Sequence, residues 1–385
     1  MLPGGVSAVS GLSILLGAGL LGLALRTARH RRHAPGLPAA PTPGEDLSPQ
    51  TPAVTILLPV RDEESNILSC LKTLLAQTDR PFVRVIDDGS ADATAALARE
   101  AADEQARAEG TPRLEILEAG PLPPGWRGKV HALAAGERGV RTPWLLSTDA
   151  DTRHHPELLA RARAAAEARG LDAVSIAGGQ EARGLGENLL IPLVFAFLDA
   201  LLGDWGPVAD GAGPPVANGQ FILLRREVWE RCGGFESVRN ETIDDVAAVA
   251  RVREQGGRTG FLRAPGLLRI RMYRGTGEAV RGWRRNLGGL FGGAPGLVTA
   301  TLAVLLLPPA ALAAALVAGE WLAALFLWGA GALSSSLFRA GSRNAPLYGL
   351  LYPLDALLLA AVLALGVADR RRGRLVSWKG REIKV

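Results

Sequence analysis

Residues 53–90 read AVTILLPVRDEESNILSCLKTLLAQTDRPFVRVIDDGS. The opening AVTILLPV (53–60) is a short apolar run without a polar face, the pattern of a strand covered on both sides. The spacing then predicts a helix over 66–77 and a second strand, FVRVID, over 82–87. The same alternation continues outward: an Ala-rich helix over 91–108, RLEIL (113–117), a helix over 128–139, WLLSTD (144–149), a helix over 156–169 and DAVSIA (172–177). Strands alternating with helices make an α/β domain around a mostly parallel sheet with helices on both faces. Ligands of such sheets bind at the carboxyl ends of the strands, so the polar residues there bear most directly on function.

Strand one ends in Arg61-Asp62-Glu63-Glu64, strand two in Asp87-Asp88-Gly89-Ser90 and strand four in Asp149-Ala150-Asp151. The glycine-rich dinucleotide fingerprint and the Walker loop are both missing after strand one. Carboxylates crowded at neighbouring strand ends repel, so they require a cation or hydrogen-bond donors between them. Any one cluster also reads as a helix cap, with Ser90, Asp92 or Asp151 in that role. Asp149 and Asp151 stand at i and i+2 and so point the same way from an extended strand end. Such a pair is a hard-oxygen site for Mg²⁺ or Mn²⁺, which also takes ligands from a diphosphate. Lys129 opens a helix in Gly125-Trp126-Arg127-Gly128-Lys129, a place that suits a phosphate and equally a solvated lysine. Asp244-Asp245 begin another helix. Adjacent carboxylates raise one pKa toward neutrality, as a general base needs, and they also cap a helix favourably.

The chain of 385 residues has room for two or three domains. With 48% hydrophobic and 21% charged residues it is not a disordered chain. Only four of its 43 basic residues are lysines, so the net charge of +5 reflects an arginine-biased composition and not a nucleic-acid partner. Two cysteines exclude a disulfide framework and a Cys-rich metal site. Residues 6–25 are uncharged over about the 20 residues needed to cross a bilayer. Arg26, Arg29, Arg31 and Arg32 come after that run, as in an uncleaved anchor, which places the following chain in the cytoplasm. Apolar runs return at 297–318, 321–338 and 346–368, followed by Arg370, Arg371, Arg372 and Arg374. Three full spans there would put these arginines on the wrong side, so one run, with 346–368 the weakest, is expected not to cross. The expected organisation is an anchor over 1–25, a basic and Pro-rich linker over 26–52, a catalytic domain over 53–292, transmembrane or interfacial segments over 293–368 and a basic tail over 369–385. Residues 189–202 read as a membrane-facing segment or a core helix, and the Gly- and Pro-rich 203–218 as a lid before Asn218-Gly219-Gln220. His131, His154 and His155 read as surface or cap residues.

The ordered set of motifs resembles the family 2 glycosyltransferases of the GT-A fold. It comprises the Pro-Val-Arg-Asp-Glu-Glu start, Asp-Asp-Gly-Ser, Asp-Ala-Asp, Cys232-Gly233-Gly234-Phe235 and the acidic pair Asp244-Asp245. The Trp-x-Gly-Lys stretch, Trp378-Lys379-Gly380-Arg381 and the flanking apolar segments look most like the membrane-anchored bacterial subgroup with hopanoid-associated and carotenoid glycosyltransferases. The resemblance implies a nucleotide-sugar donor, with Arg61, Asp62, Glu63, Asp87, Asp88, Lys129 and Asp149 around it. It implies that Asp151 with Asp149 holds the metal and that Asp245 is the catalytic base beside Asp244, which replaces the family's Glu. Where processive synthases carry Gln-x-x-Arg-Trp, this chain reads Arg281-Gly282-Trp283-Arg284-Arg285-Asn286, which favours transfer of a single sugar. Trp283 would then stack on the acceptor and Arg284 neutralise the leaving diphosphate, or the segment lies basic and amphipathic at the membrane surface. The implied protein is an inverting, non-processive enzyme of the inner membrane. It is multi-pass with a cytoplasmic catalytic domain, and it moves a sugar, a UDP-hexose by default, to a lipid acceptor. A processive polysaccharide synthase and a nucleotidyltransferase-like protein are the alternatives.

Overall fold

The computed structural model describes residues 7–33, 36–39, 52–202, 206–208, 215–241, 243–291, 294–373, 375–378 and 381–384. The chain begins with α1 (Ala8–His33), β1 (Val54–Val60), α2 (Ile67–Leu75), β2 (Phe82–Asp87), α3 (Thr94–Glu109), β3 (Leu114–Glu118) and α4 (Gly128–Glu137). Next come β4 (Trp144–Thr148), β5 (Thr152–His154), α5 (Leu158–Arg169), β6 (Ala173–Ala177), β7 (Gly179–Gln180), α6 (Leu185–Leu202) and β8 (Gly206–Val208). Then follow β9 (Phe221–Arg225), α7 (Arg226–Arg231), α8 (Asp244–Glu254), β10 (Thr259–Arg263), β11 (Leu268–Ile270) and α9 (Thr276–Phe291). The chain closes with α10 (Pro295–Val317), α11 (Trp321–Gly341), α12 (Leu354–Arg371), β12 (Leu375–Trp378) and β13 (Arg381–Lys384).

Two compact units divide these elements. One comprises residues 34–179 and 204–270. Its eight-stranded sheet has the order β3-β2-β1-β4-β9-β6-β10-β8. Neighbours β3, β2, β1 and β4 are parallel, as are β6 and β10; β9 and β8 run against them. This is the α/β, mostly parallel architecture the strand pattern predicts. Val54, Ile56, Leu57 and Leu58 are 0% exposed, so β1 is covered on both faces, and its one polar residue, Thr55, is buried with its hydroxyl accepting that of Thr142 at 2.9 Å. The inserted β9 lies beside β4 and carries Asn218-Gly219-Gln220 at its start, next to the carboxyl end of β4. That reversed strand is what brings a third stretch of chain to the Asp149 edge.

The other unit comprises residues 1–33, 180–203 and 271–385. Its core joins Leu190, Ile191 and Val194 of α6, Leu287 and Phe291 of α9, Val298 and Leu305 of α10 and Leu359, Leu363 and Val367 of α12. Leu190, Ile191, Val194 and Ala196 are at most 1% exposed, so the stretch read as membrane-facing is a core helix of this unit. Among the described residues three helices are long and apolar enough to cross a membrane: Ala8–Arg29, Pro295–Val317 and Trp321–Gly341. Their outward residues include Leu15, Val317, Trp321, Leu322 and Leu325, each more than half exposed. Such uncovered apolar residues mark a surface for lipid or for a protein partner. The basic segment 26–33, expected in the linker, continues α1 as helix. Most of the linker, parts of the 203–218 loop and Lys379-Gly380 lie outside the described residues.

Candidate active site

The acidic run after β1 and the one after β2 are tied to each other. The Asp62 and Glu63 amides donate to Ser90 Oγ (3.0 Å) and Thr94 Oγ1 (2.7 Å), and the Glu64 amide donates to Asp92 Oδ2 (3.1 Å). In return Asp62 Oδ1 accepts the Ala91 amide (2.8 Å) and Glu64 Oε2 the Ala93 amide (3.2 Å). Asp87 accepts the amide and hydroxyl of Ser90, and Arg61 donates to the Asp88 carbonyl. Asp62 holds φ at +50°, an uncommon angle for a side chain with a Cβ and one that this lacing maintains. The donors that like charges demand are thus largely backbone N–H groups, and these two loops form one stiff platform at the carboxyl ends of β1 and β2.

The unbalanced charge sits one strand further along. Lys129, at the start of α4, places Nζ 2.7 Å from Asp149 Oδ1 and 4.0 Å from Asp244 Oδ2. Its side chain keeps 27% of its surface. Burial opposes the charge on Lys129, but Asp149, Asp244 and Asp245 together outweigh it and hold the ammonium above its ordinary range. Asp245 Oδ2 accepts the Gly219 amide at 2.7 Å and Oδ1 accepts its neighbour's amide, Val246, at 2.8 Å. Burial first, and then the adjacent Asp244, push the Asp245 carboxyl up to about 6 against the pull of Lys129. A carboxylate that titrates there has the basicity a general base needs near neutral pH. A narrow, mostly apolar recess lined by Ser147, Gly219, Leu224, Phe235, Asp244 and Asp245 lies beside it, too small to hold a water.

Sequence reasoning missed the scaffold behind these groups. Thr148 Oγ1 donates to the Gln220 carbonyl (2.7 Å), and His154 Nε2 lies 3.1 Å from that hydroxyl and 2.9 Å from Thr152 Oγ1. Thr152 Oγ1 donates to the Asp149 carbonyl at 2.6 Å. This chain couples the Asp149 turn to the Gly219 turn. His154 and His131 are buried, not at the surface; burial, with Arg153 beside it, pushes His154 down to about 3 and keeps its ring neutral. Only His155 behaves as a cap, its Nδ1 accepting the Glu157 amide at 3.3 Å. The available signal was the pair of threonines flanking Asp149-Ala150-Asp151, one on each side.

Asp149 and Asp151 supply hard oxygen donors at one turn. Among the described residues no group of three or more His, Cys, Asp or Glu surrounds a metal position. Two carboxylates at one turn fit a divalent ion that takes its remaining ligands from water and a substrate diphosphate, which is how Mg²⁺ is commonly held.

Trp283 and Arg284 belong to the other unit, and both depart from expectation there. Trp283 is 5% exposed and edge-on to Phe195 (5.4 Å) and Tyr273 (6.3 Å), so its ring is packed in a core and is not a stacking platform. Arg284 forms a two-pronged pair with Asp369, one prong at 2.6 Å. The cause is the amphipathic register of α9, whose inward face carries Ala279, Trp283 and Leu287.

Residues 55–228 match the family model Glycosyl transferase family 2. This span is a glycosyltransferase domain. The structure is similar to a mannosyltransferase from Pyrobaculum calidifontis solved with GDP-Man and Mn²⁺. The two are 22% identical, with a TM-score of 0.55 over 94% of this chain and 98% of that one. It is also similar to S. aureus TarS 1-349 with UDP-GlcNAc (14% identity, 86% of this chain and 96% of that one, TM-score 0.41). A third likeness is to glucosyl-3-phosphoglycerate synthase from Mycobacterium tuberculosis with Mn²⁺ and UDP (18%, 62% and 78%, 0.38). No curated protein matches the sequence. The glycosyltransferase domain thus has the GT-A fold, with the apolar helices set before and after the matched span.

Proposed function

We propose that the protein is an inverting, non-processive glycosyltransferase that moves one hexose from a UDP-sugar to a hydroxyl of a membrane lipid of the carotenoid or hopanoid kind. The observation that carries this reading is the half-buried Asp245, poised near neutral pH, beside Lys129 and Asp149 at the carboxyl end of β4. Asp245 accepts the proton of the acceptor hydroxyl as that oxygen attacks the anomeric carbon; the bond to the nucleoside diphosphate breaks in the same displacement, which inverts the centre. The Gly219 amide fixes the face of Asp245 that receives the proton. Lys129 opposes the charge gathering on the departing diphosphate. Asp149 and Asp151 would hold Mg²⁺ or Mn²⁺, which supplies Lewis-acid neutralisation of that diphosphate when bound. Arg61, Asp62, Glu63, Asp87 and Asp88, on the β1–β2 platform, would shape the nucleoside side. Trp283 and Arg284 take no part, being engaged elsewhere.

The test is calorimetry with UDP and with UDP-hexoses in Mn²⁺, in Mg²⁺ and in chelator, joined to mass spectrometry of lipids from cells with and without the gene. We expect metal-dependent UDP binding and loss of a lipid species that carries one hexose. Polymeric product, or nucleoside triphosphate turnover, overturns the proposal.

The proposed topology has three crossings. Ser7 and Ser10, at the start of α1, bond Glu320 in the turn between α10 and α11, so these share one end of the apolar unit. Arg26, Arg29 and Arg32 at the end of α1 and Arg339 at the end of α11 mark the opposite end. α12 starts beside that end, with Asp355 bonded to Ser335 and Arg339 (3.1 Å to the latter). It finishes against α9, where Arg370 donates to the Gly289 carbonyl (3.0 Å), just before α10 sets out. A helix that starts and ends on one side does not cross, and Arg370–Arg372 then join the other arginines on the cytoplasmic side. With Cys70 and Cys232 replaced, Ala318→Cys is expected to react with an impermeant maleimide in intact cells, and Arg372→Cys only after permeabilisation.

A further inference from the structure

The geometry points to Glu137 as a positioning residue that sets where the base stands, by clamping the segment that delivers Asp244 and Asp245. The inference rests on Asp245 as the base. α4 is a brace with a working group at each end. Its first turn carries Lys129 to Asp149 and Asp244, and its last residue is Glu137. Glu137 uses both oxygens: Oε2 accepts the Trp229 indole N–H at 3.0 Å and Oε1 the Phe235 amide at 2.8 Å. Gly233 and Gly234 bend around this carboxylate with φ of +87° and +60°. A Cβ on Gly234 would stand 2.5 Å from Oε1 and push the carboxylate aside, and the positive φ favours glycine there as well. The other end of α4 holds the same segment, since the Arg127 amide donates to the Arg239 carbonyl at 3.0 Å. Five residues after Arg239 the chain enters α8 with Asp244. Trp229 and Phe235, 1% and 4% exposed and packed edge-on at 5.0 Å, give the clamped segment no slack.

A polar group fully engaged in the interior and remote from any titrating partner is normally structural. What distinguishes Glu137 is that it shares a rigid helix with Lys129, so the clamp fixes the distance between the ammonium and the acidic pair. The charged groups facing it are Glu230 and Arg138; burial, aided by Glu230, raises the Glu137 carboxyl to about 7 against the Phe235 and Trp229 hydrogen bonds and Arg138. Each of its oxygens must accept, which a carboxylate does and an amide cannot, because Gln would present an NH₂ to one of the two donors.

The test is Glu137→Gln beside Asp245→Asn, with kcat, donor KM, metal-dependent UDP affinity and melting temperature read for each. We expect Glu137→Gln to lower kcat by about 10–100-fold, the penalty for a slightly misplaced group, with UDP affinity and donor KM within about twofold of the parent. A lowered melting temperature with parental kcat makes Glu137 structural only and overturns the inference. If Glu137→Gln fails to bind UDP because it is unfolded, Glu137→Asp takes its place, keeping the charge and drawing it back by one methylene. A lowered kcat with parental UDP affinity in that variant supports the inference, and a parental kcat overturns it. An active Asp245→Asn refutes the base instead, whatever Glu137 does.

Discussion

Asparagine at position 245 is expected to lower kcat by about 10²–10⁴-fold, the range a general base contributes, while metal-dependent UDP affinity stays within a few-fold of the parent. The substitution is nearly isosteric. Asn keeps an oxygen that can still accept the Gly219 amide now at 2.7 Å, so the turn that carries Asn218-Gly219-Gln220 stays in place, while its NH₂ replaces the oxygen that accepts the Val246 amide. What it loses is the ability to take a proton. It also removes one negative charge from a group of three around Lys129, and the relieved repulsion with Asp244 offsets the lost Val246 bond, so stability should change little. Single-turnover assays with a saturating UDP-sugar separate this from weakened binding. Asp244→Asn is the internal control: the neighbour supports the basicity of Asp245 without being the base, so its loss is smaller. A dead Asp244 variant with a working Asp245 variant would exchange the two roles.

The order of elements was legible because each strand is apolar on both faces and each helix starts after a polar turn. Val54–Val60, Phe82–Asp87 and Trp144–Thr148 fall within one or two residues of their predicted places. The reversed strand Phe221–Arg225 was not legible: FILLR is as apolar as its parallel neighbours, and direction in a sheet leaves no mark on a five-residue pattern. The same blindness hid Gly219, which acts on Asp245 only because that strand delivers it. The acidic clusters were visible, but sequence could not tell a carboxylate spent on backbone amides, as Asp62 and Asp87 are, from one that faces a cation, as Asp149 does. Trp283 misled for a related reason. A tryptophan beside arginines reads as a ligand platform, yet at helical spacing from Ala279 and Leu287 it is a core residue. Glu137 does leave a signal in the sequence: an acid two turns on from Lys129, i and i+8 on one helix, falls near the same face.

Lys129→Met gives the second large effect, and its signature is a pH profile. On the proposed mechanism kcat/KM requires the Asp245 carboxylate, so in the parent it is expected to fall as pH drops through about 6 and the base is protonated. The ammonium of Lys129 holds that value down against burial and Asp244. With methionine there, nothing cationic among the groups named opposes Asp149, Asp244 and Asp245, so the proton on Asp245 is held more tightly and the acidic fall-off moves to higher pH. A fall-off moved up by about two pH units leaves roughly a tenth of Asp245 ionised at pH 7, so a loss of roughly tenfold in kcat/KM is expected there. Raising the pH should recover part of it, which separates the electrostatic role from contact with the diphosphate: a phosphate clamp alone lowers activity equally at every pH. Arg in place of Lys129 keeps the charge and should keep the parental profile, though a planar fork in a space shaped for a point charge lowers the plateau. A fall-off that stays near pH 6 in Lys129→Met would show that the ammonium does not govern Asp245, and the arrangement at the end of β4 would then be a binding site for the donor without being the seat of proton transfer.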